Sequence, residues 1–320
     1  MPGKAIQIDV LIIGASASGL MCAIEAAKRG RKVTVLDHVN KPGKKILMSG
    51  GGRCNFTNYH VSAENYISHN PHFCKSALSR YTQWDFLALL NQYQIPFHES
   101  SHGQLFCNES AKDILNMLLS ECEKNAVTIK LKTEITSVKK LDNDNFQIET
   151  QATDYTCQSL VIATGGLSIP KMCATPLGYK IAEQFDIKVW PTTAGLVAFT
   201  LQPEEKERFS PLSGIAIESV VSNQRISFRE NILYTHRGLS GPAILQISSY
   251  WQPGESISIN LLPDLNLVEV LKEAQQQHPQ QQLKNCLAHH LPKRVIDALV
   301  KGSLSDRALQ TLSHKEFKSV

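Results

Sequence analysis

Apolar and polar positions follow two periods along this chain. Residues 9–13 end in four consecutive apolar side chains before Gly14, and residues 18–29 place Leu20, Ala23, Ile24 and Ala27 on one helical face. Residues 32–36 return to a β-branched run, and Gly30 stops the helix before it. Strand, helix and strand within about thirty residues make one βαβ unit. A parallel pair joined by a helix implies an α/β sheet covered on both faces. Helical spacing dominates residues 71–125, most clearly at 85–92 and 112–124. Runs at 127–131, 134–138, 146–149 and 155–157 read as a meander, closed by Leu160-Val161-Ile162-Ala163, whose continuous apolar character marks a central strand. Beyond Pro191 the texture changes to alternating strands at 196–201, 219–221, 226–228 and 256–261, then from 265 to 320 to helical spacing. The expected division is an α/β domain over 1–192, a β-rich domain over 193–262 and a helical domain over 263–320.

Composition narrows the class. With 320 residues, 42% hydrophobic and 19% charged, the chain can bury a large core, which excludes wholesale disorder. No apolar run approaches the roughly 20 residues that span a bilayer, so no membrane association is expected. The first apolar run passes straight into Gly14 without a cleavage-type boundary and reads as a strand rather than a signal peptide, which makes a cytoplasmic location the expectation. The eight cysteines form neither a C-x-x-C pair nor a Cys/His cluster at zinc spacing, so reduced thiols and no metal site are expected. A formal charge of +4 permits an acidic partner without demanding one.

The first strand leads into Gly14-Ala15-Ser16-Ala17-Ser18-Gly19. A dinucleotide turn needs a Gly for the tight bend, a small residue where the pyrophosphate nears the backbone, and a Gly where helix packs on strand. Gly14, Ser16 and Gly19 occupy those places, with phosphate on the helix N-terminus. Asp37 ends the second strand at the spacing of about twenty residues at which a carboxylate accepts ribose hydroxyls. The plainer alternative is a tight turn beside a surface Asp.

A second glycine-rich run follows, Ser49-Gly50-Gly51-Gly52-Arg53-Cys54-Asn55-Phe56-Thr57-Asn58. Three consecutive glycines lose much entropy on ordering and suggest a backbone lying against a ligand. Lys44, Arg53 and Asn55 supply charge and donors for phosphates or a flavin's polar edge, the alternative being a flexible basic loop. Cys54 reads either as a proton donor facing the ring or as a small buried thiol packing the loop.

Together with Ala163-Thr164-Gly165-Gly166-Leu167-Ser168 and Thr235-His236-Arg237-Gly238-Leu239-Ser240-Gly241-Pro242-Ala243, these motifs resemble the BaiN-type, YhiN-like family of FAD-dependent oxidoreductases. The resemblance runs over essentially the whole chain. It implies an FAD-binding Rossmann-like domain, an inserted β-rich domain and a small helical domain, with FAD as cofactor. Ala17, Asp37, His38, Lys44, Asn55 and Ile135 stand at matching positions near the adenosine, pyrophosphate or ring. The full candidate cofactor set is Gly14, Ser16, Ala17, Ser18, Gly19, Asp37, His38, Lys44, Lys45, Ser49, Gly50, Gly51, Gly52, Arg53, Cys54, Asn55, Ile135, Thr164, Gly165 and Gly166. His236 and Ser240 lack a nucleophile elbow and an orienting carboxylate, so that motif reads as a strand-to-helix corner turning on Gly238 and Gly241. No catalytic residue is assigned.

One branch of the family reduces a uridine of large-subunit ribosomal RNA to dihydrouridine, while others are reductases or amine oxidases on small molecules. Ribosomal RNA or a small molecule is therefore the expected substrate, and reduced nicotinamide a candidate electron donor without a dedicated site. For RNA phosphates the expected contacts are Lys272, Lys284, Lys293, Arg294, Lys301 and Arg307, against the alternative of a solvated basic face. Two departures from the family pattern stand out. Met172-Cys173-Ala174-Thr175-Pro176-Leu177-Gly178-Tyr179 replaces a Gly-Asp-Gly turn, and the chain stops at Val320, where the family continues through a return strand and a segment covering the flavin ring. The expectation that follows is a truncated chain or catalytically silent remnant, with a sound dinucleotide half-site, weak flavin retention and little turnover.

Overall fold

The computed structural model describes residues 5–300 and 302–320, which divide into one compact unit ending at Trp190 and another beginning at Pro191. In chain order the first unit comprises β1 (Ile6–Ile13), α1 (Ala17–Lys28), β2 (Val33–Leu36), α2 (Lys44–Met48), β3 (Asn55–Asn58), α3 (Lys75–Arg80), α4 (Gln83–Gln92), β4 (Phe97–Glu99), β5 (Gln104–Cys107) and α5 (Ala111–Lys124). It continues through β6 (Thr128–Lys130), β7 (Ile135–Lys140), β8 (Phe146–Thr150), β9 (Tyr155–Ile162) and α6 (Leu177–Gln184).

Its main sheet has the order β6-β2-β1-β9-β8-β7. β1 pairs in parallel with β2 on one side and with β9 on the other, so the first apolar run and the Leu160-Val161-Ile162-Ala163 run lie side by side at the centre. Alternation along β1 sends Ile12 into a core with Leu20, Ala23 and Ile24 of α1 and Ile114, Leu115 and Leu118 of α5. Leu11 and Ile13 enter the opposite core with Val138, Ile148, Tyr155 and Ile181. Both faces are thereby covered. β7, β8 and β9 form the antiparallel meander. Residues 127–131 do not join it: β6 pairs in parallel with β2, because α5 crosses over the α1 face and delivers the chain to that edge. Within the expected helical stretch 71–125, β4 and β5 instead build a three-stranded sheet with β3 in the order β3-β5-β4.

The second unit holds β10 (Phe199–Thr200), α7 (Pro203–Phe209), β11 (Ala216–Ser222), β12 (Ser227–Thr235), β13 (Gly238–Ser240), α8 (Pro242–Ser248), β14 (Ser258–Asn260), α9 (Leu267–Gln277), α10 (Leu283–Leu287), α11 (Lys293–Leu299), α12 (Gly302–Ser305) and α13 (His314–Phe317). Its strands form one sheet, β10-β13-β12-β11-β14, with α8 packed on it. A separate core gathers Leu271, Leu283, Leu287, Leu309 and Phe317 from the helices, while Val295 of α11 belongs to the core of the sheet. The His236 motif departs from the expected corner: His236 and Arg237 form the turn of the β12–β13 hairpin, Gly238 starts β13, and only Gly241 stands at a strand-to-helix junction, leading into α8. A Cβ on Gly238 would lie 2.2 Å from the Phe199 carbonyl oxygen, and one on Gly241 2.6 Å from that of Asn231, so close backbone approach requires glycine at both. No helix among the described residues is long and apolar enough to cross a membrane.

Candidate functional site

The carboxyl ends of β1, β2 and β9 open together, as the parallel order dictates. Gly14 turns the chain at φ +116°, its N–H donating to the Leu36 carbonyl oxygen at 2.8 Å. A Cβ there would stand 2.3 Å from the Ala163 carbonyl oxygen, and a Cβ on Gly19 1.9 Å from that of Gly14. The first glycine thus lets β1 and β9 close up at the turn, and the last lets α1 sit on it. Ser16 caps α1 in an extended conformation without spending its hydroxyl on the helix, leaving both the hydroxyl and the first N–H groups of a 12-residue helix for an anion.

Asp37 stands directly across this turn. Its Oδ2 accepts the Ala15 N–H at 2.7 Å and its Oδ1 the Val39 N–H at 3.1 Å, with His38 Nδ1 3.4 Å away. Each carboxylate oxygen keeps a lone pair for a ribose hydroxyl. The Thr133 N–H donates to the Asp37 carbonyl oxygen at 2.9 Å, which fixes the start of β7 as a second wall.

A pocket of about 270 Å³ lies between these elements. It gathers Gly14, Ser16, Asp37, His38, Lys44, Lys45, Ile135 and Thr164 from the candidate set. Lys41 and Lys180 add positive charge against only Asp37 and Glu134, a balance suited to a pyrophosphate. Ala17, Ser18 and Gly19 do not line the pocket; Ala17 and Ser18 are exposed, and only Gly19 is buried against the turn. Gly165 and Gly166 also lie outside its lining but are tied to it, since Lys45 Nζ donates to the Gly166 carbonyl oxygen at 3.1 Å and to Ser168 Oγ at 2.9 Å.

Ser49, Gly50, Gly51, Gly52, Arg53, Cys54 and Asn55 lie outside the pocket. The three glycines have φ of +56°, +65° and +89°, and a Cβ on Gly51 or Gly52 would meet nothing within 4 Å. With Arg53 and Asn55 exposed beside them, this loop presents bare backbone to open space. Cys54 is buried in the first unit's core, and burial pushes its thiol up despite a hydrogen bond with Ser49. It packs the loop as a neutral side chain.

One wall was not legible as part of the site. Met172, Cys173, Ala174, Thr175, Pro176 and Leu177 line the pocket, with His38 Nε2 3.0 Å from the Cys173 carbonyl oxygen and Lys44 Nζ 3.7 Å from its Sγ. The prolines at 170 and 176 bracket this stretch and are its one local signal. In the second unit, Lys284 pairs with Asp306 at 2.6 Å, Arg307 with Glu316 at 2.5 Å, and Arg294 donates to the Pro211 carbonyl oxygen at 3.1 Å. These three expected RNA contacts each have a partner within the chain at the surface, and Lys301 lies outside the described residues. Lys272 and Lys293 remain exposed. Among the described residues, no three His, Cys, Asp or Glu side chains converge as metal ligands do.

Comparison with known proteins matches residues 8–206 to the HI0933-like protein Rossmann domain and residues 193–320 to the HI0933-like protein barrel and H2TH domain. A ribosomal RNA dihydrouridine synthase of Escherichia coli is 53% identical over 98% of this chain and 79% of its own length. A protein of the same description from Haemophilus influenzae is 47% identical over 97% of this chain and 78% of its own length. A 3-dehydro-bile acid delta(4,6)-reductase of Clostridium scindens is 25% identical over 91% of the chain and 74% of its own length.

Proposed function

The chain belongs to the HI0933-like family, and on that premise we propose that it is an FAD-dependent oxidoreductase that reduces a uridine of ribosomal RNA to dihydrouridine in the cytoplasm. The observation that carries this reading is the convergence of the Gly14 turn, Asp37, Lys44 and Thr164 on one cationic pocket, in a chain 53% identical to a ribosomal RNA dihydrouridine synthase.

FAD, when bound and reduced by the nicotinamide, would supply a hydride to one carbon of the uracil double bond, with a proton from solvent completing the addition at the other. The protein's own contribution is placement. Asp37 holds the adenosine ribose, the α1 N-terminus and Lys44 hold the pyrophosphate, and the wall at 172–177 shields the adenosine side. The Gly50–Gly52 turn with Arg53 and Asn55 receives the ring end, where Cys54 serves as packing. Reduced nicotinamide is the proposed electron source. Residues 193–262 form the β-rich inserted part and 263–320 the helical part of this scheme.

The test is the visible spectrum of the purified chain, followed by incubation with reduced nicotinamide and unmodified ribosomal RNA. The expected result is bound flavin and a uridine gaining two hydrogen atoms by mass. A flavin-bearing protein that leaves RNA unchanged and reduces an unsaturated small molecule would replace the RNA reading with that of the bile-acid reductase relative.

A further inference from the structure

We propose that residues 59–84 form an aromatic platform on which bases of single-stranded RNA stack, an inference that rests on the RNA reading above. The segment follows β3, which itself leaves the Gly50–Gly52 loop, so one strand of four residues, about 13 Å at the usual rise, joins the two.

Large apolar side chains are exposed here to an unusual degree. Phe73 is 79% exposed, Trp84 58%, Ile67 58% and Tyr66 48%. The chemistry is that of a nucleic-acid surface. Five aromatic residues (Tyr59, Tyr66, Phe73, Tyr81 and Trp84) are interleaved with Lys75, Arg80 and three histidines, against the single carboxylate of Glu64. Lys75 and Arg80 lie on α3 and carry no ion pair among the described residues. Free cations beside exposed rings complement a chain of phosphates and bases, whereas a surface awaiting another protein has no need of that charge.

The rings are also held in place. Tyr59 and Trp84 stack with centroids 5.6 Å apart and planes 24° from parallel, leaving the outer face of Trp84 free. Trp84 sits in the first turn of α4, whose start is fixed by the Thr82–Asp85 capping box, and Gln83 Nε2 donates to the Tyr59 carbonyl oxygen at 3.0 Å. Trp190, itself 47% exposed, already has partners within the chain, the His69 ring stacked 3.9 Å away and Lys188 Nζ 3.6 Å from its centroid, so it is assigned to anchoring the segment. Reduction of a uracil ring requires its face to be unstacked. The neighbouring bases then lose their partners, and the held ring of Trp84 replaces them.

The test uses the full chain and a fluorescently labelled single-stranded RNA oligomer containing uridine, with its duplex as control. Trp84→Ala and Phe73→Ala should each weaken single-strand binding about tenfold and leave duplex binding, flavin content and Tm unchanged. Trp84→Phe should keep binding but lose the quenching of tryptophan fluorescence that stacking produces. Equal affinity of all variants, preference for duplex, or a change of oligomeric state in place of RNA affinity would overturn the platform. RNA binding that depends on Trp84 in a chain making no dihydrouridine would leave the platform standing and sink the function.

Discussion

Ala15 and Asp37 are joined across the first βαβ unit, the N–H of Ala15 donating to Asp37 Oδ2 at 2.7 Å. The carboxylate proposed to hold a ribose therefore also holds the turn proposed to receive the pyrophosphate. Asp37→Ala removes both functions, and loss of hydrogen bonds to a charged group costs about 1.5–3 kcal/mol, or about ten- to a hundredfold in affinity. Titration of the flavin-free chain with FAD measures this directly. Unchanged affinity would remove Asp37 from the site.

Gly19 tests the geometry of the same turn. A Cβ there would lie 1.9 Å from the Gly14 carbonyl oxygen, which is backbone and cannot swing aside. Gly19→Ala should cost about 1–3 kcal/mol as overpacking, lowering Tm by about 2–4 °C per kcal/mol for a unit of this size. Gly51→Ala meets no neighbour and bears only the cost of its left-handed backbone, about 1–2 kcal/mol. Gly51→Ala should therefore lower Tm by no more than Gly19→Ala does, and a Gly19→Ala protein melting with the wild type would show that α1 can shift.

The parts legible in sequence are those that local pattern decides. The strand, turn, helix, strand and Asp37 follow from apolar period and glycine placement, and the apolar run at 160–163 identified its strand as central, beside β1. What stayed hidden is what only tertiary packing decides. Nothing in residues 127–131 distinguishes an antiparallel neighbour of β7 from a parallel neighbour of β2, since the choice depends on where α5 crosses. The short strands β4 and β5, of three and four residues, lie among helical spacings and are defined by their pairing with β3. Likewise Thr133 and Cys173 reach the pocket through backbone hydrogen bonds to Asp37 and with His38, which side-chain chemistry does not announce.

Glu316 makes the helical part of the second unit sensitive to acid. Its Oε2 accepts from the Ser313 N–H at 2.7 Å and from the Ser313 hydroxyl at 2.8 Å, and its Oε1 pairs with Arg307. The Ser313 backbone bond, then its hydroxyl and the guanidinium, hold the carboxyl at about 2, below its ordinary 4.5. A lowered folded pKa gives stability that is present above 4.5 and lost as pH falls towards 2. Glu316→Gln should lower Tm near neutrality, and the difference from wild type should close across that window. A difference independent of pH would assign the loss to shape alone.

Cysteine reactivity gives an independent check on the pocket wall. Burial pushes the Cys107 thiol up to about 12 and those of Cys122 and Cys157 to about 11, so at neutral pH all three are protonated as well as inaccessible. Cys173 is the one cysteine that is exposed, and it lines the pocket, with Lys44 Nζ 3.7 Å from its Sγ. A maleimide should modify Cys173 first, and Cys173→Ser should remove that fast phase. Because the same residue forms the wall beside His38, a dinucleotide in the pocket should shield it. FAD or ADP should therefore slow the labelling in proportion to occupancy, and Asp37→Ala should shift the ligand concentration at which protection appears. The two substitutions report from opposite walls, one through the ribose and one through access to a thiol. Labelling that is equally fast with the pocket saturated would place the dinucleotide away from the 172–177 wall, even if Asp37 still governed affinity.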